Sequence, residues 1–290
     1  MNFKNTAILS AVLAFGSTAN AQNLVELAES TNRFNVLIAA LEATGLDVVL
    51  EGSQDFTVFA PTDYAFYQSL GQAGIANLLA NPEVLEQVLL YHVVPGLVPA
   101  ADVVSSNYLT TVYDQRLSVE LSAGSVLINN SLVQYTDLFA TNGIVHVIDA
   151  PLLPNLSDLL ETADEVGGFD TLIAAVGAAG LTPTLSSAGP FTVFAPIDAA
   201  FGALPTGTVD RLLIPGNQSI LSNILQYHVV PGRFYADQVV TMSSLTTVNN
   251  LTLSVSVVGN DVFIDGAKIL LPDVETSNGN IHVIDAVLIP

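Results

Sequence analysis

Four histidines hold the acid–base potential of this chain, and all four sit in stretches that occur twice. His92 lies in YHVVPG at residues 91–96, and His228 in YHVVPG at residues 227–232. His146 lies in NGIVHVIDAPLLP at residues 142–154, and His282 in NGNIHVIDAVLIP at residues 278–290. A catalytic histidine needs a nucleophile, a carboxylate or a metal within hydrogen-bond reach. Each of these instead has β-branched neighbours, as in YHVV, IVHVI and NIHVI. That setting fits a buried imidazole whose nitrogens are bonded for structural reasons. His92 and His228 are expected to bond near the carboxylates of Asp63 and Asp198. His146/Asp149 and His282/Asp285 are three residues apart, which in a strand puts the two side chains on opposite faces. One imidazole beside one isolated carboxylate falls short of the three or four converging ligands of a metal site. There is no G-x-S-x-G, H-E-x-x-H, P-loop or G-x-G-x-x-G, and no cysteine for thiol chemistry. No catalytic residue, cofactor or metal is assigned, and the chain is read as non-enzymatic.

The histidine motifs belong to a larger repeat. FTVFAPTDYAF at residues 56–66 returns as FTVFAPIDAAF at residues 191–201, with nine of eleven positions identical. A match this long marks two copies of one structural unit. Residues 56–60 are predicted as a short strand that Pro61 stops. Thr62 becomes Ile197 in the second copy, so Asp63 and Asp198 are the expected caps of the helix that follows. Upstream, residues 24–45 and 159–180 carry apolar side chains at helical spacing, with Asn32 as a cap and Gly45 as a stop. Helical patterns also run into both YHVVPG motifs. Strands are predicted at residues 109–112, 117–121, 126–128 and 144–148, and at 245–248, 251–257, 262–264 and 281–284. Asn129-Asn130 and Asp265-Gly266 are the expected hairpin turns. The copies differ in loop length around Asn81-Pro82 and Pro215-Gly216. Two α+β domains follow, 22–154 and 155–290, with almost no linker.

Lys4, an apolar run at residues 7–15 and Ala19-Asn20-Ala21 have the layout of a secretory signal peptide, so residues 1–21 are expected to be removed. No later apolar run is long enough to span a membrane. Six basic residues face 27 acidic ones, for a net charge of −21. Such a chain repels nucleic acid and anionic membrane, which need Lys/Arg patches. The acids are scattered and form no EF-hand loop, so solubility through mutual repulsion is their reading. Four N-x-S/T sequons, at Asn129, Asn155, Asn217 and Asn250, are candidate N-glycosylation sites in a eukaryotic secretory pathway.

TVFAPTDYAF, YHVVPG and NGIVHVIDAPLLP, in this order and in both halves, resemble the fasciclin (FAS1) family. The resemblance covers essentially all of residues 22–290. It implies two tandem FAS1 domains, each a β-sandwich-like wedge of strands with helices packed over it. Family members are mostly secreted or surface-anchored proteins of adhesion and extracellular matrix. The resemblance therefore implies a secreted protein, periplasmic or on the cell surface if bacterial. Its partner would be a cell-surface or matrix protein or a polysaccharide, with weak self-association as a further expectation. Segments implicated in integrin binding by some animal members map onto Tyr91-His92 and Tyr227-His228, and onto Asp137 in YTDLF and Asp273 in LPDVE. Of those adhesive forms only the Asp, and Pro272 in the second copy, are matched. The alternative is an extracellular carrier that binds a small apolar ligand between helices and sheet. Partner-facing chemistry is expected in surface residues that the two copies do not share.

Overall fold

The structure, a computed structural model, describes residues 22–122 and 124–290; the expected signal peptide lies outside the described residues. The chain divides into two compact units between Pro154 and Asn155. Domain 1 runs α1 (Leu24–Ser30), α2 (Asn35–Thr44), α3 (Leu46–Leu50), β1 (Phe56–Pro61), α4 (Asp63–Leu79), α5 (Pro82–Tyr91), β2 (Val93–Pro95) and α6 (Ala100–Val103). It closes with β3 (Tyr108–Thr110), β4 (Arg116–Ser122), β5 (Ser125–Ile128), β6 (Ser131–Ala140) and β7 (Gly143–Ile148). These strands form one sheet in the order β2-β1-β7-β6-β5-β4-β3, in which β1 and β7 are parallel.

β1 and β7 are buried at every position. Strands covered on both faces read as continuous apolar runs rather than alternating ones, which is why FTVFA and IVHVI look as they do. On one face Val58, Ala60, Val145 and Val147 pack with helix residues such as Leu37 and Leu89. On the other, Phe59 and Ile148 join Tyr91, Leu109, Leu117 and Ile128 in a second cluster, closed by β3–β5. Each large side chain fully buried here contributes roughly 1.5–3 kcal/mol relative to exposure. The result is a barrel-like wedge with helices over one side.

Domain 2 repeats this plan with α7 (Leu159–Val166), α8 (Asp170–Ala179), α9 (Thr182–Leu185), β8 (Phe191–Pro196), α10 (Asp198–Gly202), α11 (Thr208–Leu212), α12 (Gln218–Tyr227), β9 (Val229–Pro231) and α13 (Ala236–Val239). Its remaining strands are β10 (Ser244–Thr246), β11 (Thr252–Val258), β12 (Asp261–Ile264), β13 (Ala267–Thr276) and β14 (Gly279–Ile284), in the same sheet order. The length change foreseen between the copies falls where α4 is replaced by α10, α11 and a 3-10 turn at Pro215–Asn217.

Local chemistry explains most element ends. Asn23 and Glu26 form a capping box at α1, and Gly45 ends α2 in the left-handed region. Asn129 and Asn130, like Asp265 and Gly266, both have positive φ, as a two-residue type I′ hairpin requires. Residues 24–45 split into two helices, with Asn32 at φ +53° in the loop between them; it does not cap α2. The ten-residue strands β6 and β13 escape the sequence pattern. Each carries register shifts against its neighbour and one aspartate, Asp137 or Asp273, at positive φ, which breaks the two-residue alternation.

Candidate functional site

The three repeated blocks fold into three adjacent strands. β2, from YHVVPG, pairs with β1, from FTVFAP, and β1 pairs with β7, from NGIVHVI. Phe56 stands opposite Gly143 and Phe59 opposite His146. A Cβ at Gly143 would fall on the Phe56 carbonyl oxygen and lie 2.7 Å from Leu24 Cδ1, so the glycine of the third block is a close-approach position. Gly279 meets Phe191 in the same way.

The polar side chains of these blocks are consumed by the fold. Thr57 Oγ1 donates to Gly96 O at 2.8 Å and accepts from Val98 N at 2.8 Å. Asn142 Nδ2 donates to Leu50 O and Gly52 O, and its Oδ1 accepts from Leu24 N. Thr192 and Asn278 do the corresponding work in domain 2. Sequence reasoning missed these two pairs; the signal was their presence in both copies.

His92 is buried and lies away from Asp63, contrary to expectation. Its Nε2 accepts from Leu152 N at 2.9 Å, so Nδ1 bears the proton and donates to Val88 O at 2.7 Å. His228 makes the same two bonds, to Leu288 N and Ile224 O. Each imidazole clips the end of α5 or α12 to the segment after the last strand. Burial, opposed by the carbonyl bond, pushes both pKa values down to about 4. Tyr91 and Tyr227 are also buried. Tyr91 OH donates to Arg116 O and accepts from Asn129 Nδ2; Tyr227 OH donates its one proton to Asp265, with Thr252 O as a second acceptor at 2.9 Å. Both tyrosines thus hold the type I′ turn. Burial and the bond to Asp265 push the Tyr227 phenol up to about 12.

His146 carries the opposite tautomer. Nδ1 accepts from Asp137 N at 3.3 Å and Nε2 donates to Val98 O at 2.9 Å, with the ring 5.3 Å from Phe59. His282 repeats this with Asp273 N, Phe234 O and Phe194. Burial lowers both pKa values, and the carbonyl bonds and the aspartates work against it. The left-handed backbone of Asp137 turns its carboxylate to Ala100 N at 2.9 Å, where it caps α6; Asp273 caps α13 through Ala236 N at 2.8 Å.

Asp63 also differs from expectation. Thr62 Oγ1 caps α4 through Ala65 N, while Asp63 reaches across to α2 and accepts from Val36 N at 2.7 Å and Asn35 Nδ2 at 2.8 Å. Asp198 accepts from Thr171 N at 2.8 Å in α8, and that N–H, then the Thr171 hydroxyl, holds its carboxyl below the usual range. Ile197 supplies no side-chain cap to α10. The aspartate survives in both copies because it joins two helices, and the hydroxyl does not because one short helix can do without it.

Three of the four sequon asparagines have their amide nitrogens engaged: Asn129 on Tyr91, Asn155 on Glu275 O and Asn217 on Arg211 O. Asn250 is exposed in a turn before β11. A hollow in domain 1, lined by Phe59, Ala100, Val103, Val133 and His146 among others, measures about 10 Å³. That is room for one water, against the roughly 300–1,000 Å³ of a small-molecule site. Among the described residues no three of His, Asp and Glu converge as metal ligands, and no helix is long and apolar enough to cross a membrane.

The chain is 34% identical over 249 residues to transforming growth factor-beta-induced protein ig-h3 of Sus scrofa, which covers 83% of the chain and 35% of that protein. It thus spans about a third of that relative's length. It is 46% identical over 132 residues to protein sll1483 of Synechocystis, covering 46% of the chain and 73% of that protein. A FAS1 domain pair from the insect cell adhesion molecule fasciclin I aligns over 88% of the chain and 96% of its own, with a TM-score of 0.44 and 20% identity. The fasciclin domain family model matches residues 32–154 and 167–290, so the chain belongs to the fasciclin-domain family as two tandem FAS1 domains.

Proposed function

We propose that this protein is a secreted, non-enzymatic adhesion or matrix-contact protein that works through the outer surfaces of its two FAS1 domains. One observation carries the reading. Every histidine, and every aspartate, tyrosine, threonine and asparagine described above from the repeated motifs, is spent on backbone hydrogen bonds or turn clips inside a domain. Catalysis needs polar groups converging on an open cleft; here they diverge into the packing. What remains for a partner is the surface, at a net charge of −21. Nucleic acid and anionic membrane are repelled by it.

The test is attachment. Residues 22–290 are coated on a surface and challenged with cells and with matrix fractions of the source organism. Attachment above that to the heat-unfolded chain is expected. Attachment no better than to the unfolded chain overturns the reading.

A further inference from the structure

We propose that Tyr64 and Tyr67, on the first turns of α4, form a stacking platform for a neutral polysaccharide. The proposal rests on the surface-contact reading above and names the partner class. Tyr64 is 71% exposed and Tyr67 52% exposed. Three residues apart on a helix, their Cβ atoms lie about 5–6 Å from each other, so both rings serve one ligand strand. Ala65 and Phe66, between them, point into the domain and fix the helix.

The second copy of the repeat is an internal control. It places Ala199 and Gly202 where domain 1 has Tyr64 and Tyr67, while Phe66 is kept as Phe201. The shared start of this helix therefore forms in domain 2 without either ring, although α10 ends at Gly202 where α4 continues. Two largely exposed tyrosines on one helix turn are a contact feature, since the side chain offers a large flat face and a polar tip at small entropic cost.

Charge selects the occupant. The chain carries −21, yet residues 64–80 contain no charged side chain. Asp63 is turned toward α2. The exposed residues next to them in sequence are Gln68 and Ser69, an amide and a hydroxyl, and Arg33 meets the start of the helix through its carbonyl, which accepts from Asp63 N. An anionic polymer meets the repulsion of the whole molecule, and so does a second copy of the chain. A cationic protein would seek the carboxylates elsewhere. A neutral polysaccharide brings apolar C–H faces to the rings and hydroxyls to the amide, and needs no countercharge.

Affinity electrophoresis in native gels tests this, with galactomannan, xyloglucan or dextran cast into the gel and polygalacturonate as the anionic control. Residues 22–290 should be retarded by at least one neutral polymer and not by polygalacturonate. Tyr64→Ala/Tyr67→Ala, with unchanged Tm, should bind about a hundredfold more weakly, roughly tenfold per ring. Retardation by none of the three neutral polymers overturns the proposal, as does equal retardation of the double variant. So does sedimentation showing that the two tyrosines instead hold a dimer. If cell attachment survives in the double variant while no gel retards the wild type, the platform fails and the adhesion reading stands.

Discussion

His92→Gln separates the imidazole clip from the rest of domain 1 through its pH dependence. In the unfolded chain a histidine protonates near 6.5, whereas burial holds His92 neutral down to about 4. Between those values the unfolded chain binds the extra proton, so acid favours unfolding. The stability is fully present above 6.5 and is lost as pH falls toward 4. At 1.36 kcal/mol for each tenfold change, the interval amounts to about 3 kcal/mol. Geometry gives the same sign: Nε2 is the acceptor for Leu152 N, and a proton there destroys that bond. At pH 7 the variant should be less stable by about 2 kcal/mol, the sum of two lost buried hydrogen bonds. Between pH 7 and pH 4 that gap should shrink by about 3 kcal/mol, bringing the two proteins level or reversing their order. Urea titration with hydrogen exchange read on α5 peptides measures this for domain 1 alone. A gap that stays constant across the range refutes the assignment of His92 as a neutral acceptor.

Asp63→Ala and Asp198→Ala should each cost about 1 kcal/mol, with faster amide exchange at Val36 or Thr171 rather than at the start of α4 or α10. Gly143→Ala should cost about 3 kcal/mol or more, because the new methyl meets backbone and Leu24 between paired strands; a melting shift of under 2 °C contradicts the register. Tyr91→Phe and Tyr227→Phe should each lower stability by about 1 kcal/mol, seen as a reduced urea midpoint with unchanged slope.

Much of this was legible because the chain contains two versions of itself. FTVFAP and IVHVI could be read as buried strands from their unbroken β-branched and aromatic runs, and the asparagine- and aspartate-containing turns from their residue types. Two things were hidden. The partners of polar side chains are set by tertiary approach: nothing near Asp63 in sequence says that its acceptor atoms meet Val36 N, and nothing near His92 points to Leu152. Strands interrupted by a left-handed aspartate lose their period, so β6 and β13 went unpredicted although they are the longest strands. Comparing the copies pointed the capping assignment the wrong way, because the residue kept in both copies holds a neighbouring helix and the true cap of α4 is the one that is replaced. Asp63 persists as Asp198 while Thr62 is replaced by Ile197, which leaves α10 with no side-chain cap.

The separation of fold-building motif residues from a partner-facing surface is tested most directly by one attachment assay on Tyr91→Phe/Tyr227→Phe. Both tyrosines are buried and their hydroxyls are bonded within their domains. The double variant, held well below its reduced Tm, is predicted to support attachment equal to that of the unaltered chain. Loss of attachment while the double variant remains folded at the assay temperature would mean that these tyrosines meet the partner, and would contradict the account.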